Sequence, residues 1–167
     1  MTTSSSGVDG RIYRDVCGCF ATGVSVVTTA DEEGPRGLTA NAISSVSLEP
    51  TLFLVCVDLK ATSYPVLERA GRFAVNILAA DQEEISDFFA GTTPEDNPMG
   101  DVRYELSATG SPLIEGAIAW LDCKTHSILD GGDHKIFVGE VVSCQVVRPE
   151  AEPLLFFRGK YREIGPQ

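Results

Sequence analysis

The residues best suited to chemistry lie in the stretch GLTANAISSVSLEP at positions 37–50. If this stretch is extended, alternation puts Thr39, Asn41 and Ser45 on one side of the chain. A strand with a row of hydroxyls, an amide and bare backbone suits a flat, hydrogen-bond-rich ligand with a phosphate tail. An ordinary edge strand with a polar face and a Ser-rich exit explains the same pattern, so the residues alone leave both interpretations open.

A second candidate site is the segment DLKATS at positions 58–63. It combines one cation, Lys60, with the hydroxyls of Thr62 and Ser63 and the predicted start of a helix. Because unpaired N–H groups and the helix dipole favour anions, the segment is a candidate phosphate-binding site. The alternative is a simple helix cap beside a solvated lysine.

Two further clusters carry titratable or charged side chains. His134 follows a Gly-Gly-Asp turn, and its imidazole could donate to a carbonyl or a phosphate. The alternative is a structural bond to Asp133. The sequence RGKYR at positions 158–162 places three cations and one aromatic side chain near the C-terminus. Either a second anion contact or a solvated rim explains this cluster. Two histidines and no nucleophile elbow predict no catalytic triad.

The composition restricts the partners. The chain has 167 residues, which suits one domain with a real core, and its net charge of −11 disfavours nucleic acid and anionic membranes. No apolar run approaches the roughly 20 residues of a membrane-spanning helix. Residues 1–10 lack the apolar region of a secretory signal and are predicted to form a disordered tail. We therefore expect a cytoplasmic protein.

The cysteines favour neither a disulfide framework nor a metal site. Their number is five, which is odd, and no second cysteine pair stands at zinc spacing from Cys17 and Cys19. With only two histidines, a structural zinc is not expected. We predict buried, reduced thiols and no bound metal.

The predicted elements are mostly strands. Besides the polar stretch, apolar and β-branched patterns predict strands over residues 23–29, 51–57, 73–78, 118–128, 134–147, 154–157 and 160–164. The run at 51–57 reads as a strand buried on both faces. Helices are predicted over residues 11–20, 64–70 and 82–89, and residues 91–100 as an exposed loop.

Strands that follow strands without regular crossover helices predict a mainly β, mostly antiparallel fold. A closed or partly split β-barrel with a few short helices would protect so many strand edges. Residues 11–167 are expected to form this single domain.

Four motifs carry a resemblance to a known family. They are FATGVSVVT at 20–28, GLTAN at 37–41 followed by SVSLEP at 45–50, FAVNIL at 73–78, and GDH at 132–134 followed by FVGEV at 137–141. Together, and in this order, they resemble the signatures of the short-chain flavin reductases. The resemblance spans about residues 11–164.

The resemblance implies a split β-barrel homodimer that reduces flavin with NAD(P)H and releases it to a separate flavin-dependent monooxygenase. The family contains both FMN and FAD users, so the resemblance does not settle the flavin. We expect FAD or FMN, with FAD favoured, and NADH as the hydride donor. No catalytic side chain is predicted, because the cofactors carry hydride transfer. The predicted flavin-binding residues are Gly37, Leu38, Thr39, Ala40, Asn41, Ser44, Ser45, Asp58, Lys60, Thr62, Ser63 and Phe89. The predicted NADH-binding residues are His134, Arg158 and Tyr161.

Two other classes of protein fit the same residues. One is a flavin-binding storage or carrier protein without NAD(P)H turnover. The other is a barrel that binds no flavin and serves as an oligomeric binding module.

Overall fold

The computed structural model describes residues 7–165, which form three α-helices and twelve strands. The helices are α1 (Gly10–Gly18), α2 (Tyr64–Ala70) and α3 (Glu83–Ala90), and a 3-10 turn (Ala80–Gln82) precedes α3. The strands are β1 (Thr22–Gly23), β2 (Ser25–Asp31), β3 (Gly34–Ala40), β4 (Ile43–Leu48), β5 (Thr51–Asp58), β6 (Arg72–Ile77), β7 (Tyr104–Leu106), β8 (Pro112–Ile114), β9 (Ala119–Gly131), β10 (His134–Val146), β11 (Leu155–Phe157) and β12 (Lys160–Arg162).

A seven-stranded antiparallel sheet in the order β3-β2-β6-β9-β10-β5-β4 dominates the structure. Its two edge strands, β3 and β4, follow each other in the chain. From Ala40 to Ile43 the backbone can reach only about 11 Å, so the two edges must lie close together. Ala42 accepts a hydrogen bond from the Cys56 N–H at 2.9 Å, which ties the connection to β5. The sheet therefore curls into a barrel that is split between β3 and β4.

Two small sheets complete the fold. Strands β1, β11 and β12 form a three-stranded sheet, and β7 pairs with β8. In the first, β11 and β12 form the predicted C-terminal hairpin, with Phe156 opposite Tyr161. This sheet places the C-terminal residues against α3.

The core has two parts that meet at β2. One cluster fills the barrel and includes Val27, Val55, Phe73 and Phe137, all fully buried. The second lies between β2 and α3 and includes Val26, Leu78, Phe89 and Leu154. Since Val26 and Val27 point to opposite faces of β2, both faces of this strand are buried.

The predicted class, a mainly β and mostly antiparallel split barrel with a few short helices, is confirmed. Helix α2 has the predicted bounds, and α1 and α3 are each displaced by one or two residues. Of the predicted tail, residues 1–6 lie outside the described residues, whereas α1 already begins at Gly10, with the Asp9 carboxylate accepting from the Arg11 N–H at 2.7 Å.

Three local predictions are wrong. The polar stretch at residues 37–50 is two strands and a connection, not one strand. Strand β5 is half-exposed on one face, whereas β2 and β6 are the strands with two buried faces. All five cysteines are free as expected, but Cys17, Cys19 and Cys144 are exposed and only Cys123 is buried.

None of the helices within residues 7–165 is long and apolar enough to cross a membrane.

Candidate functional site

A cavity of about 460 Å³ opens where the edge of β3, the segment after β5 and the end of α3 meet. Its lining comprises Gly37, Leu38, Thr39, Ala40, Asn41, Ala42, Cys56, Asp58, Lys60, Ala61, Thr62, Ser63, Phe89, Ala90, Gly91, Thr92 and His134. The structure thus gathers the first three candidate clusters of the sequence, which are separated by up to about a hundred residues, into one place.

The β3 wall offers backbone and small side chains. Because β3 pairs only with β2, half of its N–H and C=O groups have no partner strand. The Thr39 hydroxyl donates to the Ser86 carbonyl of α3 at 2.6 Å, so it holds the opposite wall. The exposed Asn41 amide donates to the Thr22 hydroxyl at 3.2 Å. The hydrogen-bonding capacity that remains for a ligand is therefore largely backbone.

The segment between β5 and α2 supplies the cation and hydroxyls of the cavity. The Asp58 carboxylate accepts from the Lys60 N–H at 2.8 Å, which closes the turn, and the Lys60 side chain is exposed. Ser63 is the N-cap residue of α2, yet its hydroxyl makes no capping hydrogen bond. Lys60, Thr62 and Ser63 are thus available at the cavity, as an anion would require.

His134 lies at the rim of the cavity, opposite Asp58 in the β10–β5 pairing. Its Nδ1 is 2.7 Å from the Asp133 carboxylate. The hydrogen bond from His134, with help from the charges of His134 and Lys60, lowers the pKa of Asp133 below its usual value. The structure therefore shows both features that the sequence left as alternatives: a bond to Asp133 and a place in the site.

The α3 wall depends on a close approach to Gly37. A Cβ atom at this position would lie 2.6 Å from Cε1 of Phe89, so only glycine lets the ring pack here. Phe89 is buried and belongs to the second core cluster. The wall formed by residues 89–92 is thus fixed by packing as well as by the Thr39–Ser86 hydrogen bond.

Four predicted site residues lie outside this cavity. Ser44 and Ser45 are exposed on β4, where the Ser44 hydroxyl donates to the Ser45 carbonyl at 3.0 Å. Arg158 lies beside α1, with its backbone N–H donating to the Gly18 carbonyl at 2.9 Å. Tyr161 packs against α3. Within one chain, these residues do not meet the other candidates.

Several lining residues were not among the predicted ones. They are Ala42, Cys56, Ala61, Ala90, Gly91 and Thr92. Most are small and carry no chemical signal, although Gly91 and Thr92 directly follow a predicted helix end and could have been included. Burial raises the pKa of Cys56 above its usual value, so its side chain remains a neutral thiol at the cavity.

The cavity fits a phosphorylated, flat aromatic ligand such as a flavin mononucleotide unit. Its volume lies in the range of small-molecule sites, roughly 300–1,000 Å³. The β3 part of the lining includes Gly37 and Ala40, which have little or no side chain, and the Phe89 ring packs against Gly37. The Lys60 segment adds one cation and two hydroxyls at another part of the lining.

Comparisons with known proteins agree with this geometry. Residues 17–165 match the family described as flavin reductase like domain. The chain is 38% identical over 164 residues to the reductase subunit HsaB of a flavin-dependent monooxygenase from Mycobacterium tuberculosis, covering 98% of this chain and 87% of that protein. It is 42% identical over 156 residues to an NADH-dependent FAD reductase from Streptomyces globisporus, covering 92% and 85%.

A solved structure shares the fold over almost its whole length. It is the NADH:FAD oxidoreductase SgcE6 from Streptomyces globisporus C-1027, in complex with NAD and FAD fragments. The TM-score is 0.87, with 41% sequence identity, and the match covers 97% of this chain and 98% of that one.

Proposed function

Because this chain belongs to the family of flavin reductase-like domains, we propose that it is an NAD(P)H:flavin oxidoreductase that reduces FAD or FMN with NADH. The observation that carries the proposal is the cavity between β3, the Lys60 segment and α3. It combines bare edge-strand backbone, an apolar ring and one cation with hydroxyls. FAD is the favoured flavin and NADH the favoured donor, as the names of two similar proteins indicate.

The bound flavin and NADH supply the hydride chemistry, so the protein's part is to bind and orient them. We assign the flavin ring to the β3 backbone at residues 37–41 and the side chain of Phe89. N–H groups aimed at the ring would favour negative charge on its reduced form. We assign the phosphate to Lys60, Thr62 and Ser63, and the nicotinamide substrate to His134.

We further propose that the reduced flavin passes to a separate flavin-dependent monooxygenase. HsaB bears the name of a reductase subunit of such an enzyme, and it aligns with 98% of this chain. The cavity is open to the surface, which suits a flavin that binds, is reduced and leaves. A cytoplasmic location is part of the same proposal, since NADH and a partner enzyme must both be at hand.

We also propose a homodimer. Support comes from apolar side chains exposed in the single chain, on α1 and on the edge strand β4: Ile12, Val16, Val46 and Leu48. Large exposed apolar patches on a folded chain indicate protein–protein contact. In a dimer, β4 would also gain cover for its unpaired edge.

The direct test is a steady-state assay of NADH and of NADPH, each against FAD, FMN and riboflavin. The expected result is loss of the reduced-nicotinamide absorbance that depends on added flavin, fastest with NADH and FAD. A protein that binds flavin tightly but does not consume NADH or NADPH would instead be a storage or carrier protein. One that ignores flavin altogether would contradict the assignment of the cavity.

A further inference from the structure

We propose that Tyr161, which lies outside the cavity, is a positioning residue that holds the α3 wall of the flavin site through a chain of hydrogen bonds. The proposal rests on the proposed function, since it concerns how that site keeps its shape. It gives Tyr161 a different role from the NADH contact that the sequence analysis predicts.

The hydrogen bonds around the Tyr161 hydroxyl have a defined direction. Its oxygen lies 2.7 Å from the Asp87 carboxylate and 2.8 Å from the Ser86 hydroxyl. A carboxylate only accepts, so the single phenolic proton goes to Asp87. The Ser86 hydroxyl must then donate to Tyr161. Both side chains that are linked to Tyr161 belong to α3, and Ser86 is fully buried.

The surroundings of Tyr161 favour the neutral phenol that these hydrogen bonds require. Burial raises the pKa of Tyr161, and the nearby Asp87 charge raises it further, although the Ser86 hydrogen bond acts in the opposite direction. The ring is held by Phe156, with ring centroids 5.5 Å apart and an interplanar angle of 66°. The hydroxyl is therefore presented to α3 from a fixed ring on β12.

Ser86 connects the hydrogen bonds of Tyr161 to the cavity. Its carbonyl accepts from the Thr39 hydroxyl of β3 at 2.6 Å, while its side chain donates to Tyr161. One residue is thus held from both sides, by the flavin-site strand and by the C-terminal hairpin. Phe89 lies three residues further along the same helix face and packs on Gly37. Loosening Ser86 should therefore loosen the Phe89 side of the cavity.

The decisive variant is Tyr161→Phe, which removes only the hydroxyl and keeps the packed ring. The variant loses two hydrogen bonds, and each bond of this kind corresponds to roughly a three- to tenfold change in an equilibrium constant. We expect the Kd for flavin to rise by at least about threefold, with kcat at saturating flavin and the KM for NADH nearly unchanged. Tyr104→Phe is the matched control, because Tyr104 is exposed on β7 and, among residues 7–165, its hydroxyl forms no hydrogen bond with α3.

Two variants of the acceptor sharpen the test. Asp87→Ala removes one of the two hydrogen bonds and should reproduce part of the loss of flavin affinity, whereas Asp87→Asn keeps a carbonyl oxygen as acceptor and should stay near the wild type. Adding Asp87→Ala to Tyr161→Phe should cost little more than Tyr161→Phe alone, because Tyr161→Phe already removes the bond to Asp87.

Amide hydrogen exchange on the flavin-free protein gives a readout independent of activity. We expect faster exchange at residues 86–90 in Tyr161→Phe and no change in Tyr104→Phe. Unchanged exchange, or a raised KM for NADH with an unchanged Kd for flavin, would overturn the proposal. If the wild type binds no flavin but exchange still rises in the variant, the proposed function fails and the positioning role survives.

Discussion

At the scale of single residues, the bond between His134 and Asp133 gives the histidine a defined form. A carboxylate only accepts, so with the Asp133 carboxylate 2.7 Å from Nδ1 the Nδ1 atom donates to Asp133 and Nε2 is left as the other polar atom. The bond therefore does not compete with a role in the site. It orients a ring that lines the cavity.

We predict that His134→Ala raises the KM for NADH about tenfold, with a smaller loss of kcat and an unchanged Kd for flavin. The reason is that His134 stands at the rim, where the second substrate must enter, and hydride transfer needs no proton from it. His126→Ala is the control, since His126 is exposed on β9 and does not line the cavity. A loss of flavin affinity with an unchanged NADH KM would refute the assignment.

Lys60 is expected to recognise the phosphate of the flavin. Lys60→Ala should therefore weaken FMN more than riboflavin, which lacks the phosphate, by roughly three- to tenfold in the ratio of their KM values. Lys124→Ala removes an exposed lysine of β9 that does not line the cavity and should leave the ratio unchanged. If the ratio stays constant in both variants, the phosphate is held elsewhere.

At the scale of elements, the polar stretch shows what a local pattern can and cannot predict. Its alternation identified Thr39 and Asn41, which do line the cavity. It could not show that the chain crosses from one sheet edge to the other after Ala40, because that depends on closure of the whole barrel. Ser44 and Ser45 therefore lie on β4, outside the cavity, although their local sequence resembles that of Thr39.

Sequence patterns also could not predict the buried polar contacts between distant segments. The fully buried Asn76 accepts from the Ile114 N–H at 2.8 Å and donates to Thr28 at 3.0 Å, which fixes the unpredicted strand β8 beside β2 and β6. The weak pattern of residues 101–112 gave no sign of β7 and β8. By contrast, a glycine inside a predicted strand is a local signal for a bulge, and the β9–β10 register does shift at Gly139.

The packing of α3 on β3 provides a prediction at this scale. In Gly37→Ala the new methyl group would meet the Phe89 ring, so α3 must shift or the ring must turn, at a cost of about 1–3 kcal/mol in folding free energy. We expect a lower melting temperature together with weaker flavin binding. Gly23→Ala is the matched control, as a Cβ there would meet no atom within 4 Å. Equal behaviour of the two variants in calorimetry and flavin titration would contradict this packing argument.

At the scale of the whole molecule, contacts within a single chain do not explain the stability of helix α1. It has nine residues, none of them buried, and an isolated helix of that length is marginal in water. Ile12 and Val16 lie one turn apart on α1 and are 61% and 66% exposed, and Phe20, two residues beyond the helix, is 78% exposed. A second copy of the chain would cover this apolar face and stabilise the helix, as the proposed homodimer requires.

We therefore predict a dimer mass by light scattering at micromolar concentration. Val16→Glu should shift the protein toward monomer, because dimerisation would then bury an unpaired charge. Leu106→Glu is the control: Leu106 is 63% exposed but lies on β7, in a separate two-stranded sheet. If flavin reduction falls together with dimer content in Val16→Glu but not in Leu106→Glu, the second chain also supports the site. A fully active wild-type monomer would rule out the dimer and leave α1 without a partner.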